Sequence, residues 1–196
     1  MNKFLIGVAV LVLMFGVTFH SWPISIPLDK VIENTVTVFC EAGHGSGFVL
    51  EGNPNLVVTA GHVGAIQDMF SLLVKDNEGN IYKVIYVRMN PKYDLAILTL
   101  DRSTELPGLE TAKARLGEMV YAVGTPFDLE LYQIVSHGIV SGIRYITDMG
   151  DMIITDSAVN GGNSGGPLVN GKGEVVGVVV AGTSTGVSIV VPIEYL

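Results

Sequence analysis

The chain has 196 residues, 48% hydrophobic and 15% charged, with a net charge of −8. That is enough apolar material for one domain with a sizeable core, and an acidic chain with no basic cluster argues against nucleic acid as a partner. The single cysteine, Cys40, excludes any intramolecular disulfide and reads as a small buried hydrophobe in the run Thr37–Cys40.

At the N-terminus, residues 4–19 form an uncharged apolar run that follows Lys3. At ~1.5 Å per residue this reaches roughly 24 Å, and Trp22 supplies an interfacial extension toward the ~30 Å of a hydrocarbon core. The run exceeds a signal-peptide core of about 7–15 residues. Residues 1–22 are therefore expected to form a hydrophobic helix serving as an uncleaved membrane anchor, with the remainder extracytoplasmic, periplasmic or extracellular. The alternative is a signal peptide, cleaved near Gly16-Val17-Thr18, and a secreted product. Residues 23–32, with Pro23 and Pro27, read as a linker.

From there the segments are short, β-branched and separated by turn residues. Predicted strands are 35–41, 46–50, 55–59, 70–76, 81–89 and 95–100, then 118–123, 131–142, 152–156, 167–169, 174–181 and 187–191. Helical periodicity is confined to a short piece around 61–69. The connection Asp101–Gly117, with Pro107-Gly108, lacks strand character. An all-β chain of two barrels follows, one about 33–105 and one about 117–196.

Three segments carry chemistry. Asn160-Gly161-Gly162-Asn163-Ser164-Gly165-Gly166 sets one serine among glycines, ahead of apolar Pro167-Leu168-Val169. Glycine permits positive φ and close backbone approach, so a serine hydroxyl and neighbouring N–H groups can converge on one point, as attack on a carbonyl requires. By itself the stretch also reads as a glycine-rich hairpin turn. Leu56–Val63 ends a β-branched run in small residues and His62, and Asp94 stands at the mouth of the apolar strand Leu95–Leu100. Singly, these are a satisfied structural histidine and a strand-end charge. Together they supply a base and its orienting partner, in the order His, Asp, Ser.

With Gly45-Ser46-Gly47-Phe48-Val49, Val123-Gly124-Thr125-Pro126-Phe127 and Gly173-Glu174-Val175-Val176-Gly177, these segments resemble the trypsin-like (chymotrypsin-fold) serine proteases, closest to their HtrA/Deg branch. The resemblance runs collinearly over about residues 33 to 196. It implies two six-stranded antiparallel β-barrels with the active site in the cleft between them. It further implies a serine endopeptidase with His62 as general base, Asp94 as its orienting partner, Ser164 as nucleophile, and the Gly162 and Ser164 N–H groups as oxyanion hole. The partners would be protein or peptide substrates, and family analogy alone suggests a homotrimer. Asn163 stands where digestive relatives have an aspartate that pairs with a newly cut amino terminus, so activation by such cleavage is not expected. The sequence ends at Leu196, ahead of the C-terminal helix and PDZ domains of most HtrA proteins.

The resemblance places Ala158, Val159, Val179, Val180 and Ala181 in the substrate pocket. Ala158 takes the place of the aspartate of trypsins, and Val179 that of a histidine in glutamate-specific relatives, so a small or medium aliphatic P1 residue is expected. Asp156 reads as structural, its carboxylate taking backbone N–H bonds. His137 reads as a satisfied histidine near the cleft, and His20 and His44 as loop residues. No metal-ligand spacing exists among the four histidines and Cys40, so no metal and no cofactor are expected. Two other readings stay open: a chaperone-like or binding module with a resting, inactive site, and a viral or phage precursor-processing protease.

Overall fold

A computed structural model describes residues 26–66, 71–127, 129, 132–183 and 186–196. Among them, β1 (Thr35–Cys40), β2 (Gly43–Val49), β3 (Leu56–Ala60), β4 (Leu73–Lys75), β5 (Ile81–Asn90) and β6 (Leu95–Leu100) close one barrel in the order β1-β2-β3-β6-β5-β4. β7 (Met119–Gly124), β8 (Ile134–Ile146), β9 (Gly150–Thr155), β10 (Pro167–Asn170), β11 (Val175–Gly182) and β12 (Ser188–Pro192) close a second, in the order β10-β11-β12-β9-β8-β7. Every described pairing is antiparallel within these barrels, as expected. Closure leaves no open sheet edge and fills each interior with side chains, here largely valine and leucine.

The barrels share apolar contact. One buried cluster joins Val36, Val38, Phe48 and Leu98 of the first with Val123, Val178 and Val191 of the second, while Val120, Ile153, Leu168, Val179 and Val190 form a core confined to the second. Polar bonds cross as well: Thr37 Oγ1 lies 2.8 Å from Thr125 Oγ1, and Gln133 Nε2 donates to the Thr35 carbonyl at 3.0 Å. The connection between barrels carries no strand, in keeping with its sequence. It is stitched to both sides instead, with Leu109 bonded to Val49 and Glu51, and Ala112 and Glu110 bonded to Val175. Gly108 has φ 86° and lies so close to Leu50 and Glu51 that a side chain would collide with their backbone.

The structure departs from the sequence-based expectation at three places. Part of the expected linker is helix α1 (Leu28–Glu33), with Val31 wholly buried. The i, i+3, i+4 spacing of Leu28, Val31 and Ile32 makes one apolar stripe, and Asn34 Nδ2 and Thr35 Oγ1 bond its last carbonyls. The helix around 61–69 shrinks to α2 (Gly61–Gly64), with 67–70 outside the described residues. β2 begins at Gly43 rather than at 46, so His44 lies in a strand opposite Phe39 rather than in a loop; alternating glycines hide the start of that strand from a β-propensity reading. Cys40 is half-buried against the shared core. The expected membrane helix lies outside the described residues, among which no helix is long and apolar enough to cross a membrane.

Candidate active site

β3 runs buried through Val57, Val58 and Thr59, and turns at Ala60 into α2, which carries His62. Asp94 sits in the turn between β5 and β6 with φ 52°, a left-handed conformation that aspartate tolerates better than most residues. Three bonds tie the two segments. The Gly61 N–H donates to the Asp94 carbonyl at 2.7 Å, the His62 N–H to Asp94 Oδ1 at 2.8 Å, and His62 Nδ1 lies 2.7 Å from Asp94 Oδ2. A Cβ at Gly61 would stand 2.7 Å from Asp94 Oδ1, so the glycine lets the carboxylate close in. A carboxylate only accepts, so Nδ1 carries the hydrogen and Nε2 is left with its lone pair. Nε2 has no hydrogen-bond partner among the described residues. The bond to Asp94 raises the His62 pKa above its ordinary 6.5, with the aspartate's charge adding to the effect and burial opposing it.

Ser164 lies in the turn that leads into β10. The Gly161 carbonyl accepts the Phe127 N–H at 2.8 Å, and the Asn163 carbonyl accepts the Gly166 N–H at 2.9 Å. In a trans peptide the carbonyl and the next N–H point in opposite directions. The Gly162 N–H is thus turned away from Phe127, and the Ser164 N–H away from Gly166. Neither N–H has an acceptor among the described residues. Gly162 holds φ 98°, and a Cβ there would collide with the Thr125 carbonyl and stand 2.7 Å from His44 Nε2. The Ser164 hydroxyl donates to the Val180 carbonyl at 3.3 Å, long for an O–H···O bond.

The two barrels meet at this turn. The Ser46 N–H of β2 donates to the Ser164 carbonyl at 2.8 Å. A Cβ at Gly45 would contact both the Val63 side chain beside His62 and the Ser164 carbonyl, at 2.6 and 3.0 Å. Asn163 is buried with its Oδ1 unpartnered among the described residues; a charged aspartate there would cost far more without a cation.

Of the five expected pocket residues, Val159 and Ala181 line a cleft of about 420 Å³ beside Ser164, together with Asn160, Gly161 and Gly182. Ala158 and Val180 do not line it, although the Val180 carbonyl holds the Ser164 hydroxyl. Val179 is wholly buried in the second barrel's core. Its backbone pairs with Gly165 and Gly166, which leaves the side chain to the barrel interior. Asp156 Oδ1 accepts the Ile139 N–H at 2.7 Å, the structural arrangement expected of it. His137 is exposed on β8, its ring 6.2 Å from that of Tyr121. Ser46, His44 and Phe127, which surround the Ser164 turn, were not singled out by residue type; the one signal for Ser46 is a polar residue wedged between two glycines.

A family model described as "Trypsin-like peptidase domain" matches residues 45–178, and the chain belongs to that family. Among characterised relatives, it is 37% identical over 163 residues to "Serine protease HTRA2, mitochondrial" of Bos taurus, covering 78% of this chain and 34% of that protein. It is 36% identical over 163 residues to "Serine protease HTRA1" of Xenopus laevis, covering 77% and 34%. To the "Probable periplasmic serine endoprotease DegP-like" of Chlamydia pneumoniae it is 35% identical over 145 residues, covering 70% and 28%. The chain thus spans about a third of the length of the first of these relatives.

Proposed function

We propose that this chain is a serine endopeptidase acting on proteins through Ser164, His62 and Asp94. The observation that carries the reading is the three-bond tie of Gly61 and His62 to Asp94, which leaves His62 Nε2 as a free acceptor on a segment whose Thr59 and Ala60 lie against Gly165 of the Ser164 turn. Ser164 Oγ attacks the scissile carbonyl carbon while His62 Nε2 takes its proton. The carbonyl π pair moves onto oxygen, where the Gly162 and Ser164 N–H groups receive it. Collapse breaks the C–N bond, and the imidazolium protonates the leaving amine. Water then attacks the acyl group by the same route and frees Ser164. Asp94 holds the tautomer and stabilises the imidazolium.

The P1 residue is small or medium and aliphatic. Val159 and Ala181 offer a charged side chain no counter-ion, and Asp156 is engaged with Ile139. Burying an unpaired charge costs several kcal/mol, whereas an aliphatic side chain gains about 1.5–3 kcal/mol on burial. Cleavage of a peptide library tests this; dominant cutting after Lys or Arg, lost in Asp156→Ala, would reverse the assignment.

The Ser164–Val180 bond favours a second reading, a binding module whose serine is held off its base. A tagged fluorophosphonate separates the two: labelling at Ser164 supports the peptidase, and an unlabelled, folded chain supports the binding module.

A further inference from the structure

Ser46 belongs to the first barrel, yet its hydroxyl is spent wholly on the second. Ser46 Oγ donates to the Gly162 carbonyl at 2.8 Å and accepts the Thr125 N–H at 2.9 Å. Its backbone N–H donates to the Ser164 carbonyl, and its own carbonyl accepts Thr59 Oγ1 at 2.6 Å. The residue is completely buried. A hydroxyl has one hydrogen to give, so this one is committed to Gly162.

We infer that Ser46 is a positioning residue for the oxyanion donors, a role that rests on the peptidase reading above. Its one hydroxyl grips the carbonyl of Gly162, and its N–H grips the carbonyl of Ser164. Between those two anchored carbonyls lie Asn163 and the Ser164 N–H. The Gly162 carbonyl is also the far end of the residue whose N–H is the other donor. With Gly161 held by Phe127, both flanking peptides of Gly162 are fixed, one of them from the opposite barrel. Glycine at φ 98° has no side chain to resist rotation about its own φ and ψ. The restraint therefore comes from hydrogen bonds to its neighbours, and Ser46 supplies the one that spans the cleft. This ties oxyanion-donor geometry to correct seating of one barrel on the other: if the barrels slip apart at β2, the donors lose their aim before the His62–Asp94 pair is disturbed, because that pair lies wholly in the first barrel.

The test is the rate at which the full chain is phosphonylated by a rhodamine-tagged fluorophosphonate, per folded molecule, well below each variant's unfolding midpoint. Ser46→Ala removes the hydroxyl, and Ser46→Cys keeps the shape but substitutes a weak donor. The rate is expected to fall roughly ten- to a hundredfold in Ser46→Ala, short of the ~10²–10³ for loss of a whole oxyanion donor, and by a smaller factor in Ser46→Cys. The His62 titration followed by NMR should stay where it is in wild type, which general loosening of the site would not permit. A folded Ser46→Ala whose rate stays within twofold of wild type overturns the role of Ser46. So does a His62 titration that moves with the rate, or loss of fold in both variants, which would make Ser46 architectural. A wild-type chain that the probe leaves unlabelled overturns the peptidase reading itself, and this inference with it.

Discussion

The two barrels hold their halves of the site in opposite ways. The first fixes side chain to side chain: His62 is bonded to Asp94 through both its backbone and its ring. The second fixes backbone and leaves the side chain loose: the carbonyls of Gly161, Gly162, Asn163 and Ser164 are all bonded, while the Ser164 hydroxyl makes one long bond to Val180. On the proposed peptidase reading, the difference follows from what each group would do. A base must present one tautomer and one lone pair, so its ring is pinned. Oxyanion donors must be aimed before the charge develops, so their peptides are pinned. The nucleophile's oxygen has to leave its resting partner and form a covalent bond, so a weak 3.3 Å contact costs little to break.

The largest effects come from removing the groups that differ. Ser164→Ala should abolish peptidase activity with the fold intact, since its hydroxyl contributes one weak bond. What survives should be the residual catalysis of binding and oxyanion donors, about 10³–10⁴ over water. Near-wild-type turnover in the purified variant would sink the assignment. Asp94→Asn attacks the pinned half. An amide can accept only through its oxygen, so the arrangement of two N–H donors on one carboxylate is lost and the wrong imidazole tautomer is favoured. A fall of about 10⁴ in kcat is expected; an unchanged rate would make Asp94 a mere strand-end charge.

A smaller effect is expected where only backbone is disturbed. Gly162→Ala forces a Cβ into the Thr125 carbonyl at φ 98°, at a strain of about 1–3 kcal/mol. Displacing the donors should lower kcat by about 10²–10³. Gly171→Ala, at a hairpin turn with open space around its Cβ, is the control and should leave the rate alone. Equal behaviour of the two would show that the Ser164 turn is not held by its backbone.

These distinctions also mark what a sequence can carry. The strands were legible because β-branched runs and turn residues recur at short spacing, and all the elements of both barrels lie close to their predicted positions. His62, Asp94 and Ser164 stood out as candidates because each is a reactive residue in an uncommon local setting, and the structure bonds the first two to each other. What stayed hidden is contact made across the fold. Ser46 and Phe127 act on the Ser164 turn through a hydrogen bond spanning 116 residues in one case and through a backbone N–H in the other; residue type says nothing of Phe127, and for Ser46 only that a polar residue sits between two glycines. Val179 fails as a pocket residue for a related reason. Its strand was identified, but the register shift between Val179 and Ala181 decides which side chains face the cleft, and an apolar run with no polar alternation does not reveal that.

The smallest effect is a shift in pH, and it sets the two halves against each other within one residue. His62 must be neutral to accept a proton from Ser164. Its pKa is raised above 6.5, first by the hydrogen bond to Asp94 and then by that residue's charge, against the opposing effect of burial. The acidic limb of kcat/KM should therefore have its midpoint above 6.5. A folded-state pKa raised above the unfolded one means the folded protein binds the proton more tightly. The resulting stabilisation is fully present below about pH 6.5, the unfolded value, and is lost as pH rises through the folded pKa. Activity should thus rise across the same window in which this contribution to stability disappears. The ring is 49% exposed, so solvent screens the pair and the stability change should be small. Replacing Asp94 by Asn should bring the imidazole titration, read by NMR, back toward 6.5 and flatten the pH dependence of the unfolding midpoint. An acidic limb centred below 6.5 in wild type, or a titration indifferent to Asp94→Asn, would show that the pair is not what sets the base.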